Sequence, residues 1–304
     1  MRWLFLSCHF AHLILRYQAL KDYNSALKDI NKAIKLNPQE SEYYYSKAVI
    51  YVRLKDYNNA LKDINNAIEL NPQKADYYRW RAIIYKNLKD YDSALKDLTK
   101  AIELKPKDAS YYVKRAKFYT YPLEDYKSAL KDYDKAIELE PQDGDYYLER
   151  AWFYESREDY KSALKDYDKA IELNPYETSY HLNKFMLYSE LLKDNNGALK
   201  VLAKAIELNP LEDACYSVRA VVYEDLKDYN SALKDITKAI ELSPQDDDDY
   251  YIQRAEVYTH LKDYKSAFKD YHKAIEINPS TYNYNKREEL YKKLGIRGFD
   301  RLNY

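Results

Sequence analysis

The sequence predicts an all-α chain of stacked antiparallel helix-turn-helix hairpins, and three observations predict it. Prolines at 38, 72, 106, 141, 175, 210, 244 and 279 stand 34 or 35 residues apart. Each follows a near-copy of one phrase, such as Ala94-Leu-Lys-Asp-Leu-Thr-Lys-Ala-Ile-Glu-Leu-Lys-Pro106 or Ala232-Leu-Lys-Asp-Ile-Thr-Lys-Ala-Ile-Glu-Leu-Ser-Pro244. Only 4 glycines and 9 prolines occur in 304 residues, while the 46% apolar fraction suffices for a core, so helix is the natural reading. Self-similarity at a fixed period of this length marks a repeat array, in which each unit buries its apolar face against its neighbours.

The phrase itself is the second helix of each unit. Ala94, Leu95, Leu98, Ala101 and Ile102 recur at i, i+1, i+4, i+7 and i+8, one apolar stripe at the helical period. Asp97, Lys100 and Glu103 fall three residues apart on the other side, which reads as a solvated face of paired charges. Pro106 ends the helix, because it has no amide to donate and pushes the residue before it out of the α region. Upstream, Tyr78, Ala82, Tyr85 and Leu88 define a first amphipathic helix of about three turns. Between the two stands Lys89-Asp90-Tyr91, where Asp90 is placed to cap the second helix with its carboxylate.

The third unit thus offers Tyr78-x2-Arg81-Ala82-x2-Tyr85, then Ala94-x3-Leu98, Ala101 and Pro106. This pattern resembles the tetratricopeptide repeat, and the resemblance extends from about Ser7 to Thr281. It divides the chain into a degenerate first repeat or N-terminal cap at 1–40, seven repeats at 41–74, 75–108, 109–143, 144–177, 178–212, 213–247 and 248–281, and a capping helix and tail at 282–304. In the first unit, Phe10, Leu13, Ile14 and Tyr17 stand in for the first helix. In the last segment, Tyr284 to Leu294 reads as a helix stopped by Gly295. Small residues at Ala82, Ala94 and Ala101 let helices approach closely.

Departures from the family pattern carry expectations of their own. Lys47, Arg81, Arg115, Arg150, Lys184, Arg219 and Arg254 replace a leucine, which predicts a packed stem with a solvated head. The sixth unit has His181 and Phe185 in place of tyrosine and alanine, and Asn195-Asn196-Gly197 in place of Tyr-x-Ser, so its packing should differ. Single extra residues near Pro122, near Leu192 and within Asp246 to Asp249 are expected in turns or between units, without disturbing the stripes. The Asp246 to Asp249 run lacks the glycine and glutamate of a calcium loop and reads as a solvated turn whose last Asp caps a helix. The recurrent tyrosine pairs, such as Tyr43-Tyr44 and Tyr77-Tyr78, suit half-buried seams between hairpins.

The resemblance implies a right-handed superhelical solenoid whose concave surface, lined by first helices, holds a ligand. Aligning the units places Val49, Arg79, Trp80, Ile83, Lys86, Asn87, Val113, Lys114, Lys117, Leu148, Trp152, Met186 and Val221 on or near that face. They are the least repetitive residues of the units. Arg79, Lys86, Lys114 and Lys117 gather positive charge, whereas Glu155, Glu190, Glu224, Asp225 and Glu256 make later units acidic. The expected partner is a protein or peptide segment with acidic and apolar residues, anchored in the middle by aromatic surface. Two readings of Trp80 and Trp152 stand side by side at this point: lining of a groove, or packing between hairpins. Co-chaperone members of the family clamp carboxylates with Lys, Asn, Asn, Lys and Arg over three first helices. The matching stretch here has Tyr45, Val49, Trp80, Ile83, Ser110 and Lys114, which does not reproduce that clamp.

Other function classes find little support. The chain carries no Gly-rich phosphate loop, nucleophile elbow or paired histidines on one helix face, so no catalysis and no cofactor are expected. Cys8, His9 and His12 share a helix face but lack a fourth ligand for zinc. With 49 basic against 50 acidic residues, net charge −1, no field draws the chain to nucleic acid. Single-stranded RNA binding, as in related helical-hairpin arrays, is the alternative reading. Trp3 to Leu15 is too short to span a bilayer and has one flanking basic residue and no cleavage pattern, so no membrane insertion is expected. Two distant cysteines, Cys8 and Cys215, fit a reducing, cytoplasmic setting.

Overall fold

The computed structural model describes residues 22–243 and 248–296. Cys8, His9, His12, the Trp3 to Leu15 stretch and the first-helix residues Phe10, Leu13, Ile14 and Tyr17 lie outside the described residues. Among those described there are sixteen α-helices and no strand. By internal contacts the chain divides into two compact units, residues 1–149 and 150–304. The first holds α1 (Tyr23–Leu36), α2 (Ser41–Arg53), α3 (Tyr57–Leu70), α4 (Ala75–Asn87), α5 (Tyr91–Leu104), α6 (Ala109–Thr120) and α7 (Tyr126–Leu139). Helix α8 (Gly144–Ser156) contains the division. The second unit holds α9 (Tyr160–Leu173), α10 (Thr178–Met186), α11 (Asn195–Leu208), α12 (Asp213–Asp225), α13 (Tyr229–Leu242), α14 (Asp248–His260), α15 (Tyr264–Ile277) and α16 (Thr281–Lys293). First and second helices pack as hairpins, α2 with α3, α4 with α5, α6 with α7, α12 with α13 and α14 with α15.

The hairpin turn is set by hydrogen bonds that three residues can satisfy. After α4, the Lys89 amide donates to the Lys86 carbonyl at 3.0 Å and the Asp90 amide to the Tyr85 carbonyl at 2.9 Å, the paired bonds of a Schellman motif. That motif needs a left-handed residue, and Lys89 supplies it at φ 62°. Lys55, Glu158, Lys227 and Lys262 do the same in other turns, and Glu124 and Lys193 are left-handed too, in turns where the amide of the next residue reaches six residues back. Asp90 then caps α5, accepting from the Ser93 amide at 3.2 Å, as expected from its position. A side chain in the left-handed region costs about 1–2 kcal/mol, partly offset by glycine's greater freedom when unfolded, so Lys89→Gly is expected to add about 0.5–1 kcal/mol. Urea titration would read this as a raised midpoint at unchanged slope.

Most hairpins are locked by an ion pair that the charge pattern hid. The sequence places Asp97 on a solvated face and the Arg81 head in water, and the structure corrects both. Asp97 is 5% exposed, and Arg81 holds it in a two-pronged contact, Nε to Oδ2 at 2.7 Å and Nη2 to Oδ1 at 2.7 Å. Its remaining Nη1 reaches back to Asn65 on α3 at 2.8 Å, so one guanidinium ties three helices of two successive hairpins. Arg115 repeats the arrangement with Asp132 and Thr99. In the second unit Arg150, Arg219 and Arg254 grip Asp166, Asp235 and Asp270 in the same way. The hydrogen bonds that Arg81 donates to Asp97 hold its guanidinium above its ordinary pKa, and the guanidinium lies over Tyr78 and Tyr85 at 5.5 and 5.8 Å. The tyrosines earlier in five first helices have a further task. Tyr44, Tyr78, Tyr112, Tyr147 and Tyr216 donate to the carbonyl of the proline six residues before them, at 3.1–3.3 Å.

The sixth repeat departs from this frame in a coordinated way. His181 Nε2 meets the Pro175 carbonyl at 3.0 Å, taking over the tyrosine contact. Val201 stands where the buried aspartate should be, and Lys184 turns instead to Asp168 on α9. The extra residue near Leu192 does not sit in the turn. It is absorbed within the first helix as a π-helical stretch, Leu187–Leu191, following α10. Gly197 makes room for this, since a Cβ there would lie 2.5 Å from the ring of Tyr188. The extra residue near Pro122 does fall between α6 and α7. Of the acidic run, Asp246 and Asp247 lie outside the described residues. Asp248 and Asp249 form the first turn of α14 rather than a cap before it, and Asp248 accepts from Asn278 at 3.2 Å. At the C-terminal end, Asn283, Leu290 and Tyr291 of α16 are buried, and Gly295 follows at φ 69°, as the stop signal requires.

Candidate functional site

The alanine in the middle of most first helices is buried, and the residue after it differs from helix to helix: Val49, Ile83, Lys117, Trp152, Met186, Val221 and Glu256. Around this position the thirteen candidate residues separate by burial. Val49, Val113 and Leu148 are 7–8% exposed and belong to the core between helices, so their side chains do not line an open face. Val113 and Leu148 lie three residues before the central alanine and Val49 just after it, and at all three places neighbouring helices cover the side chain.

In the first unit, Trp80 packs. Its ring meets Tyr45 edge-on at 6.2 Å, joins a cluster with Tyr77 and Ala48, and carries the Arg79 guanidinium over it at 5.3 Å. Ile83 is half-buried, while Lys86 and Asn87 are exposed, Asn87 donating to the Ile83 carbonyl at 2.8 Å. Arg79 pairs with Asp76 at 2.9 Å and Lys117 with Glu149 at 2.6 Å. Lys114 is half-buried between these cations. Burial holds its ammonium below the usual lysine range, and the neighbouring Arg79 and Lys117 lower it further. The structure therefore brings Arg79, Lys114 and Lys117 together on α4 and α6, with Asp76 and Glu149 offsetting part of their charge.

In the second unit, Trp152, Met186 and Val221 are 40, 47 and 46% exposed. The Trp152 indole donates to Asn183 Oδ1 at 2.9 Å, which fixes the ring across α8 and α10. Beside them are carboxylates. Glu155 accepts from the Tyr167 hydroxyl at 2.6 Å, and burial, with Glu190 nearby, raises its pKa against that bond. Glu224 accepts from Gln253 Nε2 at 3.2 Å. Burial pushes its carboxyl up to about 7, with Glu256 and Asp225 adding to the rise against the Gln253 bond. A carboxyl raised on folding contributes stability that is complete below its unfolded pKa and lost as pH climbs through the folded one. Glu224→Gln is thus expected to raise the melting temperature at about pH 8 and to leave no gain below about pH 4. Equal melting of the two proteins at pH 8 would refute the shift.

Sequence reasoning missed the arginine-aspartate lock, although a signal was present: an Arg or Lys and an Asp recur 16 or 17 residues apart, and in the sixth repeat Val201 replaces the Asp while Lys184 keeps the cation. Beside this altered pair lies a cavity of about 310 Å³ lined by Asp168, His181, Lys184, Lys200 and Lys204, and one of about 650 Å³ lies at the equivalent place beside the intact pair of Arg115 and Asp132. No group of three or more potential metal ligands occurs among the described residues, and no described helix is long and apolar enough to cross a membrane. Burial, with Glu212 adding to it, pushes the Cys215 thiol up to about 11, so it is no nucleophile near neutral pH.

Comparison with curated proteins finds no match. Among solved structures, the chain is similar to PilW, titled a widely conserved type IV pilus biogenesis factor, at 16% identity and TM-score 0.50 over 71% of this chain and 97% of that one. A tetratricopeptide repeat protein from Parabacteroides merdae matches at 21% identity and TM-score 0.48 over 82% of this chain and 97% of its own. MamA matches at 21% identity and TM-score 0.46, covering 54% of this chain and 96% of its own. Sequence profiles of the tetratricopeptide repeat match residues 13–65, 50–116, 122–178, 214–246 and 249–281, which together make up most of the chain. With the hairpins, the caps and the proline ruler, these matches make the chain a member of the tetratricopeptide repeat family.

Proposed function

We propose that the chain is a non-enzymatic scaffold that holds a segment of another protein on the faces of its first helices. One observation carries this reading: residues that build the frame repeat and are buried, whereas the residue after the central alanine varies and is open on several helices. A face selected only for solubility would not hold tryptophan, methionine and valine at such exposure. Membership of the tetratricopeptide repeat family supports protein interaction in general. For residues 22–149, the face comprises exposed Lys86, Asn87 and Lys117 with half-buried Ile83, Lys114 and Arg79, and it suits a segment carrying acidic and apolar residues. A cytoplasmic setting goes with this reading.

The test is affinity capture from the native source, followed by mass spectrometry, with the full chain and with an Ile83→Ala/Lys86→Glu/Lys117→Glu variant. These three positions are preferred to Trp80, whose replacement would disturb the seam with Tyr45. A partner bound through this face is expected to be lost from the variant while its helical content and melting stay unchanged. Equal capture by the folded variant would remove the first-unit face from the binding surface.

A further inference from the structure

In residues 150–304, three successive first helices present an apolar side chain to water at the same position, Trp152 on α8, Met186 on α10 and Val221 on α12. On each helix a carboxylate follows three or four residues later: Glu155, Glu190, and Glu224 with Asp225. That spacing sets acid and apolar group side by side on one helix face. The helices are neighbours at this level, since Trp152 bonds to Asn183, and Leu182 and Phe185 share a core cluster with Val218 and Val222. Among the described residues, none pairs as a cation with Glu155, Glu190, Glu224 or Asp225. On the next first helix the position is Glu256, which Lys286 neutralises at 2.7 Å, and there the strip ends. The strip is thus apolar along one line and negative along the next, with no countercharge from the described residues. Mutual repulsion of its carboxylates makes an acidic ligand unfavourable, and a basic one relieves it.

We propose that this strip is the docking surface for an extended partner segment in which lysine or arginine alternates with large apolar residues. The proposal rests on the binding-scaffold reading and assigns the second unit a ligand of opposite charge to that of the first. The apolar side chains of the segment cover Trp152, Met186 and Val221, and its cations pair with the four carboxylates. A second copy of the chain is the competing occupant.

Three fluorescein-labelled twelve-residue peptides, alternating Lys-Leu, Glu-Leu and Lys-Ser, are titrated with the full chain and followed by anisotropy at about 0.1 M salt, where charge pairing is still felt. The Lys-Leu peptide is expected to bind saturably and at least about tenfold more tightly than the other two. Glu190→Lys/Asp225→Lys and Trp152→Ser/Met186→Ser, each shown folded by circular dichroism and melting, are expected to weaken it by at least about tenfold. Lys114→Glu/Lys117→Glu should leave it within about twofold. Equal binding of Lys-Ser, tighter binding of Glu-Leu, or full Lys-Leu binding by the two strip variants would overturn the proposal. So would a dimer that Trp152→Ser/Met186→Ser turns into a monomer in sedimentation, which would give the strip to a second copy. If the Lys-Leu peptide fails while the full chain still captures a native partner, the basic ligand is discarded and the scaffold reading stands. Failure of the peptides and of capture together discards both.

Discussion

Asp97→Ala is expected to lower the unfolding free energy by about 3 kcal/mol, the magnitude found when one member of a buried pair is removed. The carboxylate satisfies two donors of Arg81, whose side chain is 21% exposed and lies between two tyrosine rings. Without Asp97 the guanidinium keeps its charge, because the pKa of arginine is too high for it to deprotonate. It must then either stay buried and unpaired or pull out to water and open the seam to Asn65. The contrast with a double replacement is informative. Arg81→Met/Asp97→Leu removes donor and acceptor together, and is expected to recover most of the loss, because an apolar pair leaves no group unsatisfied. Urea unfolding of the three variants and the parent decides it, and a double variant as unstable as Asp97→Ala would show that the cost lies in packing. The sixth repeat is the natural precedent, since Val201 replaces the aspartate and the cation is redirected to Asp168.

The second large effect belongs to the C-terminal end. Phe268→Ala is expected to cost about 3–4 kcal/mol, in the range for a fully buried aromatic ring. Phe268 is 0% exposed and stacks on Tyr291 of α16 at 4.4 Å, within a cluster holding Ile252, Ala255 and Leu290. The equivalent residues Leu61 and Leu95 are only half-buried. The larger ring is tolerated here because a terminal helix, rather than a further hairpin, covers it. In an array whose units touch mainly their neighbours, the loss should remain local. Hydrogen exchange should therefore show α15 and α16 losing protection while α2 to α5 keep theirs. Uniform loss along the chain would mean that the array unfolds as one cooperative body.

Much of the fold could be read from the sequence because its signals are local. The stop at Pro106, the cap at Asp90 and the stripe of Ala94, Leu98 and Ala101 each depend on a few residues of one segment, and the structure reproduces them. The binding face was legible only in outline. Periodicity finds the first helices, but it cannot tell Val49 or Leu148, which neighbours cover, from Val221, which they leave open. Trp80 and Trp152 show the same limit: they stand two residues before and one after the central alanine, about 60° apart around the axis, yet one ring enters a seam and the other meets water.

What the sequence determined by itself is therefore the repeat: its length, its helices, its turns, its caps and its membership of a family. Tertiary structure alone decided which polar residues are buried and which apolar ones are exposed. Asp97, Lys100 and Glu103 look alike along one helix, and only the approach of Arg81 from the preceding helix makes burial of the first favourable. Burial is a property of what surrounds a residue, and in a stacked array those surroundings come from helices 16 or more residues away.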